Sequence, residues 1–170
     1  GGGAYTQGIF NVENCIFYGN QITGGGCGGT GDGYQIQMNG NNNQNGTVAI
    51  AYSLIQGGES DICNDGGTVI WNTGNIDADP QFSDTSNNDF TLQYTSPCID
   101  TGNPDLDGDG EDYTTDVDDQ DPDSTRMDMG AFYFDQIEFP ITYGCMDPGA
   151  TNYDSLAIID DGSCYNDGPV

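Results

Sequence analysis

Twenty-eight carboxylates face a single guanidinium in this chain, and that imbalance limits what it can fold into more than any other feature. Asp accounts for 24 of the acids and Glu for four; Arg126 is the sole cation, there is no Lys or His, and the formal charge is −27. A compact state of such a chain repels itself unless something offsets the charge. Nucleic acid and anionic membrane surfaces are excluded as partners, because both demand many Lys or Arg. Without imidazole there is no Ser-His or Cys-His pair and no His ligand for zinc. Bound cations are the expected remedy, and with oxygen ligands only, the cation to expect is calcium.

At 170 residues the length suits about one domain, and 27 Gly with 16 Asn make it rich in turn formers. Only 34% of residues are hydrophobic, yet 18 aromatics argue against disorder. No apolar run reaches the length of a membrane span, so no membrane insertion is expected. The chain opens at Gly1 rather than Met and reads as a piece of a longer polypeptide. Six cysteines, with no C-x-x-C spacing, fit an exported protein in an oxidising place, either secreted or at the cell surface. Cys145 and Cys164 bracket one short Gly/Asp-rich segment and are the best candidate pair. Cys27 with Cys63 is a second, both lying in Gly/Asp/Asn-rich loops. Cys15 and Cys98 sit beside apolar residues and read as buried thiols.

A repeat organises the first third of the chain. Val12-Glu13-Asn14-Cys15-Ile16-Phe17-Tyr18-Gly19 recurs 38 residues later as Ile50-Ala51-Tyr52-Ser53-Leu54-Ile55-Gln56-Gly57, aligning Val12 with Ile50, Cys15 with Ser53, Ile16 with Leu54 and Phe17 with Ile55. No stretch sustains a 3.6-residue apolar period, so long helices are not expected. Short β-type runs at long spacing suggest a stacked solenoid, with an antiparallel sandwich as the alternative.

Five motifs in order carry a resemblance. They are Asn14-Cys15-Ile16-Phe17-Tyr18-Gly19-Asn20, Gly74-Asn75-Ile76-Asp77-Ala78-Asp79-Pro80-Gln81-Phe82, Asp89-Phe90-Thr91-Leu92-Gln93, Ser96-Pro97-Cys98-Ile99-Asp100-Thr101-Gly102 and Asp128-Met129-Gly130-Ala131-Phe132. Together they resemble the C-terminal end of bacterial right-handed parallel β-helix surface proteins of the choice-of-anchor Q group. The resemblance implies an all-β, right-handed parallel β-helix over residues 1–134, with Val12, Cys15, Phe17, Ile50, Ser53 and Ile55 pointing inward. A second resemblance, carried by Tyr143-Gly144-Cys145-Met146-Asp147-Pro148-Gly149-Ala150-Thr151-Asn152-Tyr153-Asp154 and Asp160-Asp161-Gly162-Ser163-Cys164, is to a Cys-flanked repeat of secreted Bacteroidetes-type proteins, many of which leave by type IX secretion. The expected organisation is therefore a β-helix end over 1–134 with an Asp-rich calcium loop at 105–123, an extended connector over 135–142, and a small disulfide-closed module over 143–170.

The sharpest chemical signal is Asp105-Leu106-Asp107-Gly108-Asp109-Gly110-Glu111-Asp112-Tyr113-Thr114-Thr115-Asp116, which places carboxylates at loop positions 1, 3, 5 and 12. This is the ligand order of an EF-hand-type calcium loop, with Gly110 permitting the turn, Glu111 offering its carbonyl and Asp116 closing the cage. Asp116, Asp118, Asp119, Asp121 and Asp123 continue the run and suggest a second ion sharing Asp116. In the last segment Asp147, Asn152, Asp154, Asp160 and Asp161 are candidates for another, with Asx turns as the competing reading. Asp77 and Asp79 read as a structural connection rather than a catalytic pair. Arg126 is expected to pair with the surrounding Asp cluster.

These readings point to a non-enzymatic, calcium-stabilised structural segment of a secreted surface protein, adhesin stalk or fibre. The alternatives are part of a glycan-binding or glycan-cleaving exoprotein, and cargo held by type IX secretion machinery. Surface glycans, further copies of the chain and that machinery are the corresponding partners.

Overall fold

The fold is described from a computed structural model for residues 9–20, 35–39, 46–138 and 142–166. The chain divides into two compact units, Gly1–Tyr133 and Phe134–Val170. Strands come from the β-branched and aromatic runs, as their stiff side chains favour. In the first unit β1 (Ile9–Glu13), β4 (Thr47–Ala51) and β7 (Thr68–Trp71) form a parallel three-stranded sheet in that order. Two parallel pairs accompany it: β2 (Ile16–Phe17) with β5 (Leu54–Ile55), and β3 (Ile36–Asn39) with β6 (Ile62–Asp65).

The 38-residue repeat is a pairing register. Val12 lies opposite Ile50, Ile16 opposite Leu54 and Phe17 opposite Ile55. Val12, Val48, Ile50, Ile55 and Ile62 make one buried cluster, against which Cys15, Phe17, Ile36, Met38, Val69 and Trp71 pack. Ser53 is fully buried, while Cys15 and Phe17 are half-buried. Between the paired strands the backbone turns a corner at Asn14 (φ 50°), Tyr52 (φ 44°) and Gly74 (φ 78°). The Tyr52 ring lies on Gly74 so closely that a Cβ there would come within 2.2 Å of it. Beside each corner a side chain fastens one layer to the next: Ser53 Oγ accepts from Cys15 N at 3.1 Å, and Asn75 Oδ1 from Ser53 N at 3.1 Å.

The parallel β-helix expected over residues 1–134 is not what the structure shows. Among the described residues the parallel sheets hold two or three strands, none continues as a solenoid, and beyond an isolated Leu54–Ile76 bridge the parallel pairing of this unit stops. The next strands, β8 (Phe82–Asp84) and β9 (Asp89–Leu92), pair antiparallel around a short 3-10 turn, Thr85–Asn87. From residue 93 to 133 the chain forms turns, bends, one 3-10 turn, Val117–Asp119, and an isolated antiparallel bridge between Gln120 and Arg126. The reason is compositional. These residues carry Asp, Gly, Asn and Pro in place of the β-branched runs that feed a ladder, and each Asx side chain competes for backbone N–H groups.

In the second unit, β10 (Tyr143–Gly144) and β11 (Ile159–Asp160) pair in parallel, and Cys145 is bonded to Cys164. Asp135 accepts from Ile137 N and Glu138 N, at 3.0 and 2.8 Å, and so builds a turn. Cys63 is disulfide-bonded; Cys27, the partner expected for it, lies outside the described residues. Cys15 and Cys98 are free thiols, and burial pushes the Cys98 thiol up to about 11.

Ile50 is fully buried in the cluster, whereas Ile9 on the same sheet is 67% exposed. Truncation of Ile50 to Ala is expected to cost about 2–5 kcal/mol, and of Ile9 within about 0.5 kcal/mol. Equilibrium denaturant unfolding of the two variants measures the difference.

Candidate metal centre

The Asp-rich loop leaves the body at Gly102-Asn103 and returns at Met127-Asp128. Gly102 N donates to Met127 O at 2.7 Å, and Met129 N to Cys98 O at 2.9 Å. Asn103 is tied to the end of β1 through its N–H to Asn14 Oδ1 (2.6 Å) and its Nδ2 to Glu13 Oε1 (2.9 Å). Arg126 donates from Nε to Gly102 O at 2.7 Å, and its guanidinium stands 5.7 Å over the Tyr52 ring. The loop is thus anchored at both feet to the unit's core strands.

Within the loop each carboxylate shapes the backbone beside it. Asp105 accepts from Gly108 N (2.8 Å) and Gly110 N (3.1 Å), one with each oxygen. Both glycines have positive φ, 77° and 92°, which the turn needs and a side chain would resist. Asp107 accepts from Asp109 N at 3.1 Å and Asp109 from Glu111 N at 2.8 Å. Asp112 accepts from the Thr114 hydroxyl and N–H, and these bonds hold its carboxyl below the usual range. Asp116 accepts from Asp118 N at 2.8 Å and so caps the Val117–Asp119 turn.

That turn carries Asp119 back under the start of the loop. Its Oδ1 accepts from Leu106 N at 2.5 Å, while its Oδ2 is buried and has no hydrogen-bond partner among the described residues. Asp119 has no exposed surface at all. Asp105, Asp107 and Asp119 each place a carboxylate oxygen within 4.8 Å of the others, and so do Asp107, Asp109 and Asp116. Either group can hold a metal ion, and Asp107 belongs to both. Like charges packed so closely favour a cation between them.

The EF-hand spacing picks out Asp105, Asp107, Asp109 and Asp116 as one cage, but the structure divides them between two groups that share Asp107, and it places Asp119, which the spacing assigns to a second site, with Asp105 and Asp107. The missing signal is the 3-10 turn, which no ligand spacing encodes. Glu111 and Asp118 are exposed and outside both groups. Asp121 lies beyond them with Asp123 and Asp128, all three buried. Burial, with the neighbouring Asp123 and Asp128 charges, pushes the Asp121 carboxyl up to about 7.

The candidates of the second unit have other uses. Asp147, Asp154, Asp160 and Asp161 each accept the backbone N–H two residues on, at 2.8 to 3.0 Å, and Asn152 bonds Tyr165 N and Ser163 O. The four Asp side chains make Asx turns and Asn152 ties its segment to residues 163–165, and among the described residues these acids form no three-carboxylate group. Asp77 accepts from Gly57 N and Asp79 from Gln81 N, both at 2.9 Å. An apolar cleft of about 540 Å³ lies between Phe17, Tyr18, Phe82, Phe90 and Phe132. Asn14 brings an amide side chain to its wall, and that amide already serves Asn103. No family model, curated protein or solved structure matches this chain.

Proposed function

We propose that the chain is a non-catalytic, calcium-stabilised structural segment of a larger exported surface protein, of the kind that builds a stalk or fibre. The observation that carries this reading is Asp119: fully buried, with one oxygen lacking a donor among the described residues, beside Asp105 and Asp107. An ion there would fasten the loop to the turn that closes it, and loop and ion would order together. Oxygen-only ligands from a flexible loop suit calcium better than magnesium, which keeps its waters and demands a tighter octahedron. Affinities of about 10⁻⁴–10⁻³ M are usual for extracellular modules, and only an extracellular setting supplies that much free calcium. The Cys145–Cys164 bond agrees with an oxidising compartment.

Two experiments test the proposal. Millimolar calcium is expected to raise the melting temperature, chelator to reverse it, and magnesium to act more weakly. Asp119→Asn separates a cation site from a merely acidic loop by the sign of its effect. In chelator it removes an uncompensated buried charge and melts at or above wild type. In calcium it melts lower, by about 3 °C or more. A calcium-independent effect of this substitution contradicts the reading. For the non-catalytic part, a polysaccharide panel assayed by reducing-sugar release is expected to stay blank, and release from any member overturns it.

A further inference from the structure

We propose that Asp121 and Asp123, with the Thr125 hydroxyl between them, form an internal divalent-cation site distinct from the loop centre, to which Asp128 adds charge. Residues 121–125 make a tight turn: Asp121 N donates to Thr125 O at 3.1 Å, Ser124 N to Asp121 O at 3.0 Å, and Ser124 takes a left-handed φ of 70°. The turn gathers its oxygens inward. Thr125 Oγ1 lies 2.8 Å from Asp123 Oδ1 and 3.4 Å from Asp121 Oδ1, and Thr125 N donates to Asp123 Oδ1 at 3.2 Å.

Burial turns this cluster from a turn motif into a site. Asp121 and Asp123 are each 6% exposed and Asp128 is 5% exposed. Asp121 Oδ2 is buried and has no hydrogen-bond partner among the described residues. A carboxylate taken out of water without a compensating partner is among the costliest groups a fold can hold. The sole Arg is close in sequence, but it donates to the carbonyls of Gly102 and Thr101 and stands over Tyr52. Asp128 uses Oδ1 to accept from Asp100 N at 2.7 Å, which ties the cluster to the segment that launches the loop. Calcium accepts hydroxyl, carbonyl and water oxygens beside two carboxylates, so Asp121, Asp123 and Thr125 make a suitable partial shell. The competing occupant is a proton shared between Asp121 and Asp123. The site uses none of Asp105, Asp107, Asp109, Asp116 or Asp119, and so stands or falls apart from the loop centre.

Calcium stoichiometry on the full chain, by equilibrium dialysis and elemental analysis at neutral pH, tests it. Asp121→Asn and, separately, Asp123→Asn are expected to lose one ion per chain while the ions removed by Asp107→Asn remain. Asp107→Asn is expected to keep the internal ion, so failure of the loop centre and failure of this site give different patterns. Should a variant not fold, wild-type crystals grown with terbium report directly: an anomalous peak on Asp121 Oδ2 is expected. Unchanged stoichiometry in folded Asp121→Asn, or no peak there while the loop carries one, assigns the pair to a shared proton and overturns the proposal.

Discussion

Asp119 brings a negative charge to a position with no exposure, and one of its two oxygens meets no donor among the described residues. Two unit charges about 4 Å apart repel by about 1 kcal/mol in water and about 4 kcal/mol at the effective dielectric of a protein surface. Carboxylate oxygens of Asp105 and Asp107 lie within 4.8 Å of one on Asp119, close to that separation. The rest of the loop depends on how this repulsion is resolved. The backbone N–H groups of Leu106, Gly108, Asp109, Gly110, Glu111, Thr114 and Asp118 all donate to carboxylates, and each such bond fixes a turn while leaving the negative charge in place. A cation is the one addition that turns the repulsion among these carboxylates into attraction without disturbing those turns.

The first unit divides its labour accordingly. Its buried apolar cluster comes from β1, β4, β5 and β6, with residues of β2, β3 and β7 packed against it, and the backbone turns between paired strands at Asn14, Tyr52 and Gly74. The loop contributes little apolar surface of its own, and hangs from that core through Asn103, Gly102 and Met129. Arg126 strengthens the root of the loop by bonding the Gly102 carbonyl and covering the Tyr52 ring. Core and loop thus differ: burial of apolar surface holds the one, while hydrogen bonds at its feet hold the other, whose clustered carboxylates could take a metal ion.

Legibility in the sequence follows that division. The pairing of Val12 with Ile50 and of Phe17 with Ile55 can be read directly, because apolar residues recur at one spacing with a Gly at the end of each run. The third layer is hidden: Thr68–Trp71 follows Thr47–Ala51 by 21 positions rather than 38, so no single period reveals it. Ile36–Asn39 pairs with Ile62–Asp65 through residues too polar to announce a strand. Extending the repeat to a full parallel β-helix fails because after Ile76 the chain turns to an antiparallel pair, Phe82–Asp84 with Asp89–Leu92, and then spends many backbone donors on Asx side chains instead of a ladder. In the metal centre, alternate Asp residues mark the loop plainly. Spacing alone puts Asp119 in the wrong group, since its approach depends on a turn capped by Asp116.

Amide hydrogen exchange of residues 105–123, with calcium and with chelator, is the most direct test of whether a cation is the condition for this loop's order. The Leu106 amide, which donates to Asp119, and the Gly108 and Gly110 amides, which donate to Asp105, are the reporters. Protection is expected at all three in calcium and its loss in chelator, while amides of the core strand Thr47–Ala51 stay protected in both. Equal protection of the three loop amides in chelator and in calcium would contradict a cation-dependent loop.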